Sequence, residues 1–220
     1  MAEDPPTPDP TPVSPYPYAE RRDILPHVPA GARRILDVGC ASGGFGVALR
    51  EAEPERVVWG IEADPEAAAR AADRYDRVVT GLFPDALADL DVTFDCLVFN
   101  DVLEHMEDPW TALRDGLRHL EPGGAVVVSI PNVRYVVTVV DLVLRGNWTY
   151  ADRGVLDRTH LRFFTRQTAI ALVAGAGLTV EKVAGINWFG QRFRWPKLAP
   201  KLLRDFAYTG FLVIGRKPPT

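Results

Sequence analysis

The sequence predicts an α/β fold built on a doubly wound, mixed sheet of seven strands. Nearly continuous runs of valine, isoleucine and leucine alternate along the chain with amphipathic or alanine-rich stretches. Such runs are typical of parallel strands, because helices cover both faces of a parallel sheet. Five parallel strands are predicted at residues 33–38, 56–61, 77–80, 94–100 and 124–130.

Four helices are predicted beside these strands, at residues 43–52, 65–75, 109–120 and 165–175. Pro65 and Pro109 stand in the first turn of their helices, where a missing N–H group costs no hydrogen bond. Gly175 and Gly177 mark the end of the last helix. Residues 131–165 are expected only as a long connection.

Two further apolar segments follow, at residues 178–186 and 206–217. They favour a hairpin at the sheet edge, which makes the C-terminal strand antiparallel. Residues 187–205 form a long insertion between the two segments.

Composition sets the broad class of the protein. The chain has 220 residues, of which 47% are hydrophobic and 25% charged, as in ordinary globular proteins. Its net charge of −4 argues against a general nucleic-acid binder, which carries an excess of lysine and arginine. Cys40 and Cys96 lie in apolar segments, so no disulfide framework is predicted and a reducing, cytoplasmic location is expected.

Three stretches bear on location and domain boundaries. The most apolar one, residues 125–144, is interrupted by proline and polar residues, so no transmembrane segment is predicted. The N-terminus lacks a basic start followed by an apolar run, so a secretory signal is not expected. Residues 1–17 contain seven prolines and are predicted to be a disordered tail, which leaves residues 18–217 as one domain.

A glycine-rich turn follows the first predicted strand. Asp37 lies at the carboxyl end of that strand, and Gly39 and Gly43 follow it in the sequence ILDVGCASGGFG. In open α/β sheets ligands bind at these strand ends, and glycines let the backbone approach a ligand closely. Glu62 follows the second strand, 25 positions after Asp37, where a carboxylate can accept both hydroxyls of a ribose. The pattern indicates a cofactor that contains adenosine.

The same turn favours S-adenosylmethionine over a dinucleotide. Ala41 interrupts the G-x-G-x-x-G pattern that seats a pyrophosphate, and Asp37 would repel a diphosphate. S-adenosylmethionine carries a sulfonium and an ammonium, which an acidic crevice attracts. An NAD-dependent dehydrogenase is therefore disfavoured. The alternative is that Asp37 only caps the following helix and that the glycines only make a tight turn.

Four motifs in this order, ILDVGCASGG, GIEAD, FDCLVFNDVLEHMEDP and LEPGG, carry a family resemblance. Over residues 18–217 the chain resembles the class I S-adenosylmethionine-dependent methyltransferases, which implies a Rossmann-like fold. The resemblance implies cofactor contacts from Tyr18, Arg22, Asp37, Gly39, Cys40, Gly43, Glu62, Leu82 and Asn100. Many members have Gly-Asp facing the adenine, whereas this chain has Gly81-Leu82, so that contact would be apolar or made by the backbone.

Three other segments, YAERRDIL, PNVRYVV and LRGNWTYADRGVLDRTHLRFFT, are similar to a bacterial subgroup often associated with glycosyltransferases. The similarity implies a carbohydrate or glycosylated acceptor, with residues 131–165 and 187–205 as insertions on the acceptor side. It also implies that Tyr18 and Arg22 belong to a helix that closes over the cofactor.

Methyl transfer to a hydroxyl calls for a positioned base, because a sugar hydroxyl is a poor nucleophile at neutral pH. His105 is the first candidate, since it follows the fourth strand at the edge where the cofactor binds. Asp101 and His160 are the further catalytic candidates, and His160 lies in a polar run that can fold back over the site. The alternative is that these residues only pack or cap there.

A metal site is a separate hypothesis. Asp101, Glu104 and His105 fall at positions i, i+3 and i+4, which one helical turn brings together, and His160 could add a fourth ligand. The arrangement resembles the E-x-x-E-H motif of the ubiquinone-pathway O-methyltransferase and of small-RNA methyltransferases. Mg²⁺ or Mn²⁺ bound there would lower the pKa of an acceptor hydroxyl.

The two insertions concentrate aromatic and basic residues. The aromatic ones are Trp148, Tyr150, Trp188, Phe189, Phe193 and Trp195. The basic ones are Arg192, Arg194, Lys197, Lys201 and Arg204. Tryptophan faces stack on sugar C–H surfaces, and basic groups favour an anionic acceptor or an anionic membrane surface. The alternative is that the aromatic groups only pack the insertions and that the basic face is only solvated.

These observations predict a methyltransferase that uses S-adenosylmethionine to methylate a sugar hydroxyl. Another small-molecule acceptor, with oxygen or nitrogen as the methylated atom, is the alternative. The non-enzymatic alternative is a module that binds S-adenosylmethionine without catalysing a reaction.

Overall fold

The computed structural model describes residues 19–187 and 201–219, and the predicted tail at residues 1–17 lies outside them. Seven strands form one sheet in the order β3-β2-β1-β4-β5-β7-β6. They are β1 (Arg34–Val38), β2 (Val57–Glu62), β3 (Arg77–Thr80), β4 (Phe94–Asn100), β5 (Leu120–Pro131), β6 (Thr179–Ile186) and β7 (Gly210–Arg216). Strand β7 is antiparallel to both of its neighbours, as the mixed-sheet prediction requires.

Within residues 19–187 and 201–219, six α-helices accompany the strands. They are α1 (Gly44–Ala52), α2 (Pro65–Ala71), α3 (Pro109–Gly116), α4 (Val136–Arg145), α5 (Arg166–Gly175) and α6 (Lys201–Arg204). The Asp64 and Asp108 carboxylates accept backbone N–H groups at the starts of α2 and α3. A capping box between Thr165 and Thr168 starts α5. Side-chain oxygens thus satisfy N–H groups that a helix leaves unpaired in its first turn.

Helix α4 was not predicted, because residues 131–165 were expected only as a connection. Its sequence, VVTVVDLVLR, is rich in β-branched valine, which has a lower helix propensity than leucine or alanine. Val143 and Leu144 on this helix are 70% and 76% exposed. Its polar residues, Thr138, Asp141 and Arg145, stand three and four positions apart, which is helical spacing, so a signal for this helix was present in the sequence.

The core lies on both faces of the sheet, and alternate residues of each strand enter different faces. Leu36 and Val38 of β1 pack on one face with Leu113 of α3 and Leu172 of α5. Ile35 packs on the other face, in a cluster that includes Ile24, Phe45, Leu49, Cys96 and Val98. Cys40 and Cys96 are buried free thiols, as expected.

Strand order reverses between β1 and β4, since the chain runs outward from β1 through β2 to β3 and then returns to the other side of β1. A crevice forms where the helices that follow two such neighbouring strands lie on opposite faces. Asp37 and Asn100 stand at the carboxyl ends of these two strands. Within residues 19–187 and 201–219, no helix is long and apolar enough to cross a bilayer.

Gly116 at the end of α3 tests how tightly this side of the core is packed. A Cβ atom there would overlap the ring of Phe83, which itself stacks edge-on against Phe99 at 5.3 Å between centroids. Gly116→Ala is expected to lower the free energy of unfolding by about 1–3 kcal/mol through overpacking. Gly31→Ala is the control, since nothing lies within 4 Å of its Cβ position. Urea unfolding that gives equal stabilities for the two variants would contradict the packing.

Candidate active site

The turn after β1 requires glycine at two positions. Gly39 and Gly43 have φ angles of 70° and 89°, which L side chains rarely adopt. A Cβ on Gly39 would stand 2.6 Å from a methyl carbon of Val102. The N–H groups of Gly39 and Cys40 donate to the carbonyl of Ile61 at 2.8 and 2.9 Å, so the turn is fixed to the end of β2.

Asp37 is 2% exposed at the end of β1. Its Oδ2 accepts a hydrogen bond from the Tyr75 hydroxyl at 2.6 Å, and its Oδ1 has no hydrogen-bond partner among the described residues. Burial raises the pKa of Asp37 to about 7, and the hydroxyl of Tyr75 partly opposes that rise. Helix α1 starts at Gly44 without a side-chain cap, so helix capping does not explain Asp37. The unpaired oxygen can accept an ammonium group.

Glu62 holds the glycine-rich turn from the end of β2. Its carboxylate accepts the N–H of Ala41 at 2.7 Å and that of Asp64 at 3.0 Å. The carbonyl of Glu62 accepts the N–H of Gly81 at 2.8 Å. Leu82 follows Gly81 and is 70% exposed, so it offers an apolar surface close to Glu62. The predicted ribose and adenine contacts of Glu62 and Leu82 stay predictions.

Asn100 ends β4 with both atoms of its side-chain amide buried and without a hydrogen-bond partner in the described part of the chain. Buried amides are nearly always hydrogen-bonded in folded proteins. The unpaired amide is therefore free to bond to a ligand in the crevice. This position agrees with the predicted contact of Asn100 with the methionine group.

Asp101 follows with a φ angle of 57°, which turns the chain sharply. Its carboxylate accepts the Ser129 hydroxyl at 2.8 Å and pairs with the guanidinium of Arg21. The carboxylate is thus already paired within the protein.

Arg21, rather than the predicted Arg22, reaches this edge of the sheet. The Arg22 side chain is 56% exposed and pairs with Glu20 and Glu51 on the surface. The two arginines are adjacent in the sequence, which gives no signal to choose between them. Tyr18 lies outside the described residues.

Glu104 and two histidines form the cluster closest to a metal-ligand set. Glu104 is 0% exposed, and neither carboxylate oxygen has a hydrogen-bond partner among the described residues. His160 Nε2 lies 3.8 Å from Glu104 Oε1, and the rings of His105 and His160 are 4.7 Å apart. Burial raises the pKa of Glu104 well above its ordinary value. One ligand atom from each residue lies within 4.8 Å of the other two.

Asp101 is not in that group, which corrects the predicted four-residue set. The sequence spacing assumes one continuous helical turn over residues 101–105. The structure has a short 3-10 turn at Leu103–His105 instead, with the sharp bend of Asp101 before it. The bend and the pairing with Arg21 keep Asp101 apart from the cluster.

His160 reaches the cluster because its segment folds against the loop after β4, as predicted. The N–H groups of Leu161 and Arg162 donate to the carbonyl of Glu104 at 2.8 and 3.0 Å. Thr159 Oγ1 lies 3.0 Å from His105 Nδ1 and donates to the buried carboxylate of Asp157. These contacts fix both histidines against the loop that follows β4.

The predicted aromatic residues are only partly described. Trp148 stacks edge-on against Phe163 at 5.3 Å, and Tyr150 is 49% exposed. The side chains of the remaining predicted residues, except Arg204, lie outside the described part of the chain: Trp188, Phe189, Arg192, Phe193, Arg194, Trp195, Lys197 and Lys201.

Residues 15–183 match the family model for a methyltransferase domain. The chain belongs to the methyltransferase-domain family. Membership and fold together confirm the predicted class of S-adenosylmethionine-dependent methyltransferases. The association with glycosyltransferases stays a prediction.

Two relatives show how far the similarity extends. The ubiquinone biosynthesis O-methyltransferase of Xylella fastidiosa (strain 9a5c) is 31% identical over 176 residues, which cover 75% of this methyltransferase and 68% of that one. An uncharacterized methyltransferase of Mycobacterium sp. (strain JLS) is 38% identical over 104 residues. That match covers 45% of this chain and 39% of the relative, so the chain spans about two fifths of the length of this curated relative.

Solved structures support the fold. An S-adenosylmethionine-dependent methyltransferase from Archaeoglobus fulgidus superposes with a TM-score of 0.62 at 17% identity. The superposition covers 89% of this chain and 90% of that one. The predicted Rossmann-like, seven-stranded mixed sheet is therefore confirmed.

The raised pKa of Asp37 predicts that donor binding releases protons. The carboxyl is mostly neutral below its pKa of about 7, whereas a cationic donor favours the ionised form. Affinity for S-adenosylmethionine should therefore rise about tenfold from one pH unit below that value to one unit above it. Calorimetry in buffers of different ionisation enthalpy measures the proton release.

Asp37→Asn should bind more weakly and without this pH dependence. The folded-state pKa of Asp37 lies above its ordinary value of 3.8, so the ligand-free protein also loses stability as pH rises from about 4 through about 7. Binding by the wild-type protein that is independent of pH, with no proton release, would contradict the role of Asp37.

Proposed function

We propose that this methyltransferase transfers the methyl group of S-adenosylmethionine to a hydroxyl oxygen of a small-molecule acceptor, most specifically a sugar. The observation that carries the proposal is the cluster of Glu104, His105 and His160 beside the end of β4. Potential proton acceptors and metal ligands are brought together there by two separate chain segments. Binding of S-adenosylmethionine by itself would require none of these three side chains.

Donor binding would use the unpaired polar atoms at the ends of β1 and β4. The Oδ1 atom of Asp37 would accept the ammonium of the methionine part, and the amide of Asn100 would bond to the same part. Glu62 would accept ribose hydroxyls, and Leu82 would cover the adenine. The sulfonium would then lie near a buried acidic edge, where its charge is favourable.

The reaction forms an oxygen–carbon bond as the carbon–sulfur bond breaks in line with it. The electron pair of the carbon–sulfur bond stays on sulfur, which becomes the neutral thioether of S-adenosylhomocysteine. The acceptor hydroxyl loses its proton, and His105 is the group proposed to take it. The protein otherwise aligns the acceptor oxygen with the methyl group.

We further propose that the same cluster binds a divalent metal ion. Glu104 has two buried oxygens without a partner, and a cation would compensate that carboxylate. The residues fit a cation, because ligand atoms within 4.8 Å of one another need only a modest contraction to share one. One carboxylate and two imidazoles suit Mn²⁺ better than Mg²⁺. When bound, the cation would lower the pKa of the acceptor hydroxyl, and His105 would then be a metal ligand instead of the proton acceptor.

The sugar acceptor is supported by the resemblance to proteins associated with glycosyltransferases and by two aromatic residues of the acceptor-side insertion. Trp148 and the half-exposed Tyr150 could stack on sugar C–H surfaces. An anionic acceptor stays a prediction, since most of the basic residues behind it lie outside the described part of the chain. A cytoplasmic location is proposed from the two buried free thiols.

Formation of S-adenosylhomocysteine tests the activity. The purified chain is incubated with S-adenosylmethionine and a panel of free sugars, nucleotide sugars, phenols and amines, and products are analysed by mass spectrometry. A methylated sugar is expected, and His105→Ala should lower its rate of formation by about a hundredfold, the loss typical of a missing general base.

His27→Ala is the matched control, because His27 contacts Lys182 away from the site. A methylated phenol or amine would identify another acceptor class. Tight binding of S-adenosylhomocysteine without turnover of any acceptor would favour the non-catalytic module and contradict an enzyme.

Metal removal tests the cluster. After treatment with EDTA, activity should fall and return on addition of Mn²⁺, and Glu104→Gln should weaken Mn²⁺ binding measured by electron paramagnetic resonance. Glu181→Gln is the control, since Glu181 pairs with Arg216 at the surface. Unchanged rates after EDTA would exclude the metal and leave proton removal to His105.

A further inference from the structure

The N-terminal strap, defined here as residues 19–22, crosses the crevice between β1 and β4. A Cβ atom on Gly44 would overlap the backbone of Ala19, so the strap lies directly on the start of α1. Two residues later, Arg21 reaches Asp101 beyond the end of β4. Both contacts lie at the carboxyl edge of the sheet, where the donor is proposed to bind. The strap therefore passes over the donor site.

The chain beyond the strap is fixed to the core. Ile24 is fully buried and Val28 is 6% exposed, and both pack in the cluster that contains Phe45 and Leu49. The carbonyl of Arg21 accepts the N–H of Ile24 at 2.9 Å, which closes a turn at the base of the strap. The fixed part thus positions the base of the strap.

Arg21 has a φ angle of 43°, which is uncommon for a residue with a side chain. Such a conformation persists where surrounding contacts compensate for its cost. The guanidinium provides them, since it pairs with Asp101, bonds to Asp23 at 3.1 and 3.2 Å and lies 3.4 Å from the Ser129 hydroxyl. The Arg21 side chain is only 14% exposed, so water screens this ion pair less than a surface pair.

We propose that Arg21 is a positioning residue that fastens the strap over the bound donor through Asp101 and slows the release of donor and product. This inference rests on the proposed donor site. The ion pair must open for the donor to enter beneath the strap and must form again afterwards. Removal of either partner should therefore speed dissociation.

A purely electrostatic role for Arg21 makes a different prediction. Its positive charge acts on both Asp37 and Glu104, so it partly neutralises the acidic edge that attracts a cation. Loss of that charge alone would tighten binding of S-adenosylmethionine, which carries a sulfonium. It would tighten binding of S-adenosylhomocysteine less, because that ligand lacks the sulfonium but keeps the ammonium. If the strap closes over the site, loss of Arg21 would instead speed the release of both ligands.

The experiment compares Arg21→Ala, Asp101→Asn and the double variant with wild-type protein. Affinity and dissociation rate are measured for both ligands by calorimetry and surface plasmon resonance, and folding is checked by thermal unfolding. Each single variant should release S-adenosylhomocysteine about tenfold faster, as for loss of a shielded charge pair. The double variant should be no faster than either single one, because both substitutions remove the same interaction.

Arg50→Ala is the matched control, since it removes an arginine from a surface pair with Asp76. Wild-type release rates in Arg21→Ala, or tighter binding of either ligand, would overturn the inference. If Arg21→Ala fails to fold, Asp101→Asn decides by the same criterion. Wild-type protein that binds neither ligand would contradict the proposed function together with the inference, whereas normal wild-type binding with an unaltered Arg21→Ala contradicts the inference alone.

Discussion

Two carboxyl groups buried at one edge of an apolar sheet are the constraint on which this site depends. Asp37 and Glu104 are almost fully removed from water, and three of their four carboxylate oxygens have no hydrogen-bond partner among the described residues. Burial of such groups is costly unless something compensates for it. The protein supplies part of that compensation through the hydroxyl of Tyr75 and the charge of Arg21. In the proposed function a cationic ligand would supply the remainder, which would make the cost of burial a basis for selectivity.

The fold was predictable because its signals are local and repeated. Apolar runs mark all seven strands, and connection rules for parallel strands give the doubly wound arrangement. The observed strand boundaries differ from the predicted ones where contacts with residues distant in the sequence determine them. Strand β5 begins at Leu120 rather than at residue 124, since Leu120 pairs with Phe94. The EPGG segment between Leu120 and Ala125 forms an irregularity in the pairing with β4. Strand β7 begins at Gly210 rather than at residue 206, because a 3-10 turn at Asp205–Ala207 precedes it.

The site was predictable up to the ends of the strands. Asp37 and Asn100 follow from strand positions alone, and spacing places Glu104 and His105 together in one short turn. The exclusion of Asp101 depends on a left-handed backbone conformation that no pattern in the sequence marks. The contribution of Arg21 depends on a similar bend and on a partner 80 positions away. Such features arise from long-range packing, which residue spacing does not encode.

The place of β7 in the sheet has a consequence for synthesis on the ribosome. This strand follows all the others in the chain, yet it lies between β5 and β6. Until it emerges, β5 has no partner on one side and β6 has no place in the sheet, so the nascent chain presents an open edge that can pair with other chains. Folding of this domain must therefore finish after translation of β7, and delayed synthesis at that point would expose it to aggregation.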